Sequence, residues 1–196
     1  MKKYNLLKKC IKKQSQISIE REAIDDEPIT AIPIAMSKKL LLIHYLYDFQ
    51  FDGFKVLTMK DISRVKRGKV EKFHDKILKK EKIKKSVSPD VKVDSWRDFF
   101  HSIARENKLI DISLERKTPG FEQTFFVGKV VSVNKKSINL LEISTLGKYD
   151  KKRKKYRFKL FERGTKIKFK DITAVSYGNR YSEVLDRFSE EVVNVW

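Results

Sequence analysis

The residues best equipped for chemistry are scattered along this chain. His44, His74 and His101 occupy three different segments, with no short metal-ligand spacing among them. Cys10 has no histidine near it in sequence and reads as a small apolar residue on its helix. Asp25-Asp26-Glu27, ahead of Pro28, fits either a cation site or a solvated loop. Asp61 and Asp171 are each followed by Ile. They read as acids that organise a strand-to-turn transition through local side-chain to backbone hydrogen bonds. No Walker loop, dinucleotide fingerprint or nucleophile elbow is present. The expectation is a non-enzymatic protein without metal or cofactor.

Basic residues, by contrast, cluster. Arg64, Lys66, Arg67 and Lys69 open a run of lysines that continues to Lys85. The apolar positions Val70, Phe73, Ile77 and Leu78 face one way on a helix, which crowds the lysines on the outer face. Like charges at helical spacing destabilise mildly, and a nearby anion would relieve them; a plain solvated face is the other reading. A second run holds Lys152, Arg153, Lys154, Tyr156 and Arg157. Its aromatic could stack on a base or start a strand after a turn. The pairs Lys38–Lys39 and Lys135–Lys136 complete the set. Across the chain 45 Lys+Arg face 26 Asp+Glu, a net charge of +19. Residues 1–88 carry 22 basic against 11 acidic side chains, and the remainder 23 against 15. The excess is therefore no detachable tail, and its field attracts polyanions such as nucleic acid or anionic membrane surfaces. Only 11 of the 45 basic residues are Arg. Lys is a hydrated point charge without the planar fork of Arg, so unspecific surface charge stands beside that reading.

A single cysteine excludes an internal disulfide framework and fits a reducing compartment. Lys8 and Lys9 interrupt the apolar stretch begun at Leu6, so no secretory signal is expected. No run approaches the ~18 apolar residues of a membrane span. A cytoplasmic location and no membrane partner are expected.

The elements that must carry these residues follow from periodicity. Trp96, Phe99, Phe100, Ile103 and Ala104 fall at i, i+3, i+4, i+7 and i+8, a core-facing helix opened by a capping box at Ser95. Leu6, Leu7, Cys10 and Ile11 form a narrower stripe near the start. Strands are expected at Ile17–Ile19, Ile29–Met36, Val56–Ile62, Ile110–Leu114, Phe125–Val133 and Ile167–Ile172. Leu40–Tyr47 is apolar on both alternating faces, so it should be buried on both. A switch of side at Leu140–Leu141 predicts a bulge or sharp bend there in a strongly curved sheet.

These elements read twice. Lys60-Asp61-Ile62-Ser63-Arg64-Val65-Lys66-Arg67-Gly68 parallels Lys170-Asp171-Ile172-Thr173-Ala174-Val175-Ser176-Tyr177-Gly178. Val70, Phe73 and Ile77 then match Tyr181, Val184 and Phe188. Upstream, Ser37–Ile43 parallels Asn134–Leu140, and Ile17–Arg21 parallels Ile112–Arg116. Four blocks in one order predict a tandem duplication of a unit of about 95 residues. The second copy is longer by about 13 residues around Lys152, on the order of a long hairpin.

Gly128 to Leu140, with a helix leading into the first strand, resembles the bent second and third strands of Sm-like barrels. The resemblance implies an SH3-type barrel and, for the family, RNA binding through loops and ring assembly. The family's Arg-Gly pair stands here as Arg67-Gly68, with Tyr177-Gly178 at the second position; its Asp-x-x-x-Asn loop signature is absent from both copies.

The resulting expectation is a mainly β fold with flanking helices, an α+β chain of two tandem Sm/SH3-like small barrels over residues 1–88 and 89–196. Its expected partner is nucleic acid, RNA more than DNA, contacted electrostatically. The expected contacts are Lys38, Lys39, Lys66, Arg67, Lys69, Lys135, Lys136, Lys152, Arg153 and Lys154, with Tyr177, Asn179 and Arg180 suited to bases. The alternative is a protein-interaction scaffold that docks a partner chain in an apolar groove or on an edge strand, and oligomers are compatible with either.

Overall fold

A computed structural model describes residues 2–84, 90–116, 125–144, 148–150, 155–158, 161 and 163–189. Helix α1 (Lys2–Lys13) leads into strands β1 (Ile17–Glu20), β2 (Ile29–Met36), β3 (Leu40–Tyr47) and β4 (Gln50–Thr58). A 3-10 turn (Met59–Asp61), strand β5 (Arg64–Lys66) and helix α2 (Lys69–Lys80) follow. Helix α3 (Trp96–Ala104) precedes β6 (Ile110–Ser113), β7 (Phe125–Val133), β8 (Ser137–Glu142), β9 (Lys148–Asp150) and β10 (Lys155–Arg157). The chain continues through β11 (Thr165–Lys168), β12 (Ala174–Tyr177) and α4 (Arg180–Arg187). The protein is thus mainly β with flanking helices.

Ten strands form one open, antiparallel sheet in the order β11-β8-β7-β6-β12-β4-β3-β2-β1-β5. The halves join where β12 pairs with β4, Ala174 opposite Leu57 and Tyr177 opposite Phe54. Strands β9 and β10 form a separate two-stranded hairpin inside the longer segment of the second half.

Strand β3 is buried on both sides because its two faces serve different cores. Leu40 and Leu42 pack with Phe99, Phe100, Ile110 and Ile138, whereas Leu41 and Ile43 pack with Leu7, Cys10, Ile17 and Ile19. Ser95 caps α3 by accepting the Asp98 N–H at 3.2 Å, and Trp96, Phe99, Phe100 and Ile103 are all buried.

Four expectations need correction. The strands expected at Val56–Ile62 and Ile167–Ile172 end at Thr58 and Lys168, and the chain turns there. The Lys60–Gly68 and Lys170–Gly178 blocks, expected to match, each contain a further short strand, β5 and β12. The irregularity expected at Leu140–Leu141 lies instead on the neighbouring strand, where the register shifts between Val130, opposite Leu140, and Ser132; further shifts fall between Pro33 and Ala35 and between His44 and Leu46. Finally, Val70 and Phe73 do not face the core. Each is 61% exposed, and Tyr181 at 46% and Phe188 at 62% are exposed too.

Candidate nucleic-acid interface

A cleft of about 360 Å³ opens where turns from both halves converge, within the ~300–1,000 Å³ typical of ligand sites. Lys38 and Lys39 come from the β2–β3 turn and Lys60 from the 3-10 turn; Phe169, Lys170 and Ile172 come from the β11–β12 connection. Leu40, Thr58 and Trp96 complete the lining. All four lysines are exposed. Beneath them Trp96 and Phe169 each stack on Phe100, with ring centroids 5.7 Å apart in both cases.

Backbone bonds hold these turns in place. The Ser37 N–H donates to the Leu40 carbonyl at 2.9 Å, and the Met59 N–H to the Lys39 carbonyl at 2.8 Å. On the other side the Phe169 N–H donates to the Lys136 carbonyl at 2.9 Å. That bond sets the Lys135–Lys136 turn beside the cleft wall, so both lysine-pair turns lie at this end of the sheet.

Arg116 ties the cleft's two sides together. Its Nε donates to Asp61 at 2.9 Å, its Nη2 pairs with the same carboxylate, and its Nη1 donates to the Lys170 carbonyl at 2.8 Å. The role expected of Asp61 changes accordingly: its partner is a distant guanidinium rather than the local backbone. With that carboxylate engaged, the cleft's lysines keep a largely uncompensated positive field. Sequence reading missed Arg116. Its one signal was the repeated Glu-Arg pair, Glu20-Arg21 and Glu115-Arg116.

The other expected contacts go elsewhere. Tyr177 is 1% exposed and packs against Phe54 and Phe99, so a base reaches its ring only if the core opens. Asn179 is buried as the cap of α4: its Oδ1 accepts the Ser182 N–H at 2.7 Å and its Nδ2 donates to Asp111. Both are withdrawn as base contacts. Lys66 pairs with Glu20, and Arg67 donates to the Gln16 carbonyl and to Asp75, each at 2.6 Å. These two bind the fold rather than standing free for phosphate. Lys69 and Arg180 are exposed at the starts of α2 and α4, away from the cleft. Lys152, Arg153 and Lys154 lie outside the described residues.

The remaining reactive side chains do not converge. His44 is buried between Phe51 and Phe54, at 3.9 and 4.5 Å between ring centroids, and His74 contacts the Gln16 amide at 3.3 Å. Among the described residues no group of three or more His, Cys, Asp or Glu is arranged to hold a metal ion. No described helix is long and apolar enough to cross a membrane. Comparison with protein-family models, curated proteins and solved structures finds no match.

Proposed function

We propose that the chain is a non-enzymatic nucleic-acid-binding protein, RNA preferred, that lays a single strand along the lysine-rimmed cleft. The composition of the cleft carries this reading: four exposed lysines stand over an apolar wall of Trp96, Phe169, Leu40 and Ile172. Ammonium groups meet phosphates regardless of sequence, and the half-buried Phe169 ring gives a splayed base an apolar edge, with Trp96, Leu40 and Ile172 buried behind it. The Lys135–Lys136 turn extends the phosphate track. Trp196→Phe leaves Trp96 as sole tryptophan and reporter. Titration with oligouridylate should change its fluorescence, with a salt slope of about −0.7 per phosphate neutralised. Lys60→Ala with Lys170→Ala should weaken binding alike across sequences and make that slope shallower by about 0.7 for each phosphate left unneutralised. No binding at low salt, or parent-like binding by the double variant, would falsify this reading.

We also infer that the two halves are tandem Sm-like or SH3-type units. Strands β1–β5 lie in the order β4-β3-β2-β1-β5; taking β6, β7, β8, β11 and β12 in their place yields the second half's order. The shifts at Pro33/Ala35 and Val130/Ser132 fall at matching distances from Leu40 and Ser137. The inserted β9–β10 hairpin accounts for the second half's extra length. One aligned block moves, however. Ile17 pairs with Ala31 and Ile110 with Gly128, so the partner of Ile17 is Ile110 rather than Ile112.

The scaffold alternative draws on one observation, the edges of the sheet at β5 and β11, which are open among the described residues. Both edges carry exposed basic residues, Arg64 on one and Lys166 and Lys168 on the other, so a strand added there would need acidic side chains. Such docking and phosphate binding are separated by competition with an acidic peptide against oligouridylate.

A further inference from the structure

Helix α2 carries an apolar stripe that stands in solvent. Val70 and Phe73 are each 61% exposed, and Leu78 is the helix's one buried residue. The β3–β4 hairpin presents two more large side chains, Tyr47 at 62% and Phe49 at 47%. The two surfaces are continuous. Phe49 meets the His74 ring edge-on at 5.1 Å between centroids, and Phe73 lies 6.3 Å from the same ring. Single exposed apolar residues are ordinary, but a contiguous patch built from two elements marks an interaction surface.

Backbone conformation supports a role for Phe49. Tyr47 pairs with Gln50, and the two residues between them, Asp48 and Phe49, have φ of 44° and 62°. Such a two-residue turn is usually made with glycine at its second position. The chain keeps a strained phenylalanine there and leaves its ring half in water, where packing offsets little of the strain.

On the α2 side the charge around the patch is of one sign, while Asp48 is the exposed acid of the hairpin turn. Both acids of α2 are turned into intramolecular bonds. Glu71 accepts the Gly68 N–H at 2.5 Å, and Asp75 accepts from Arg67 at 2.6 Å and from the Gln16 N–H at 3.1 Å. Lys69, Lys72, Lys76, Lys79 and Lys80 are exposed, and the ion pairs among the described residues involve none of them. Exposed aromatic and aliphatic side chains bordered by unpaired lysines describe a surface that lies on anionic lipid.

We propose that this face docks on an anionic membrane surface, with Tyr47, Phe49, Val70 and Phe73 entering the boundary between headgroups and acyl chains and the lysines meeting lipid phosphate. Val70 and the half-buried Ile77 favour lipid over an RNA strand, because aliphatic side chains add apolar burial but no base stacking. Contact of this kind is peripheral and needs no spanning helix. It replaces the expectation of no membrane partner. It is also independent of the cleft, because Tyr47 and Leu40 are the opposite ends of β3, roughly 23 Å apart at strand rise.

The test is co-sedimentation of the full chain with vesicles of phosphatidylcholine, with and without phosphatidylglycerol. The parent should pellet with the anionic vesicles alone and be released by salt. Val70→Ser combined with Phe73→Ser should lower the vesicle affinity roughly tenfold or more. Phe49→Ser, on the other element, should lower it independently. All three positions are exposed, so melting should be unchanged; a variant that fails this check is replaced by Lys72→Gln with Lys76→Gln, which should lower affinity and salt sensitivity together. Oligouridylate binding at the cleft should be the same in every variant, which lets the two readings fail separately. The proposal is overturned if the parent ignores anionic vesicles or if the folded patch variants pellet as the parent does. It is equally overturned if patch variants lose RNA and keep lipid, which would make the patch a nucleic-acid platform.

Discussion

Strand β4 meets β12 through Phe54, Val56 and Leu57 on one side and Ala174, Val175 and Tyr177 on the other, all buried. The two strands left at the rims, β5 and β11, instead read Arg-Val-Lys and Thr-Lys-Ile-Lys. Under the duplication proposed above, β11 is the counterpart of β4 and β5 the counterpart of β12. The same two kinds of edge are therefore used once inside the chain and left open once at its ends. The internal pair is apolar except where Lys55 stands opposite Ser176, and it is tied by ion pairs, Arg21 to Glu115 at 2.8 Å and Arg116 to Asp61. The open pair is charged. An unpaired edge is a template for pairing with another chain, and exposed Lys or Arg blunts it. The contrast teaches that this fold invests its apolar edge surface in one intramolecular junction and guards the rest.

The sharpest way to break the junction is at Gly53. Its φ is +70°, and a Cβ there would fall 2.5 Å from the Asn179 backbone nitrogen and 2.6 Å from the Gly178 carbonyl. Both neighbours are main chain and cannot swing aside. Counting back from the strand registers, the matching residue of the second half is Arg163, three before Lys166 as Gly53 is three before Val56. Close approach is thus needed at the junction and absent at the open edge. Gly53→Val should destabilise the chain by about 3–5 kcal/mol in urea unfolding, whereas Arg163→Val should change stability by no more than about 0.5 kcal/mol. Equal costs at the two positions would end the comparison.

A second, pH-dependent difference follows from the junction's polar row, in which Lys55 and Asp111 flank Ser176. Burial pushes the Asp111 carboxyl up to about 6, against the hydrogen bond from Asn179 and the Lys55 charge, which pull it down. Its Oδ1 has no hydrogen-bond partner among the described residues. Because the folded value lies above the ordinary 3.8, the folded state holds the proton more tightly. Stability from this group is complete below about pH 4, declines between the two values and is gone above about 6, a loss of roughly 3 kcal/mol at pH 7. Asp111→Asn should remove that slope and raise the melting temperature at pH 7.5 but not at pH 4. A parent whose stability is flat between pH 4 and 7 would contradict the burial argument.

These sites differ in how far sequence announces them. Helix α3 was legible because Ser95 and four regularly spaced apolar residues state both its start and its inner face. The double burial of β3 was legible because two alternating apolar sets leave no solvent side. Tyr177 was not: it stands before Gly178 in a segment that reads as a turn, and its burial depends on α3 from some 80 residues away. Under the duplication proposed above, the matching of Ile17 moves from Ile112 to Ile110 for a different reason. A period of two looks the same after any even shift, and only the pairing partners Ala31 and Gly128 choose among registers. Likewise, the spacing of Val70, Phe73 and Ile77 defines a stripe but not what covers it. The cleft was half legible, since Lys38 and Lys39 were singled out while Trp96 and Lys170 reach it from distant segments.

The smallest effect on folding, and the most direct reading of the guarded rims, should come from removing their charge. Lys166 and Lys168 point from β11 into solvent while Ile167, between them, is 1% exposed in the core. Replacing both lysines with Thr keeps β propensity and leaves the core untouched, so stability should move by no more than about 0.5 kcal/mol. What changes is the cost of bringing β11 near β5 of another molecule, where Arg64 stands exposed. In the parent those charges repel across the approaching strands; in the variant only Arg64 remains to oppose the free N–H and C=O groups. Analytical ultracentrifugation should therefore give a concentration-independent mass for the parent and a mass that rises with concentration for the variant. Adding Arg64→Thr should strengthen the association further, and Arg64→Glu opposite intact Lys166 and Lys168 should induce it by attraction instead. If all of these chains sediment alike, charge is not what keeps the rims apart, and the difference between the covered and open edges has no bearing on assembly.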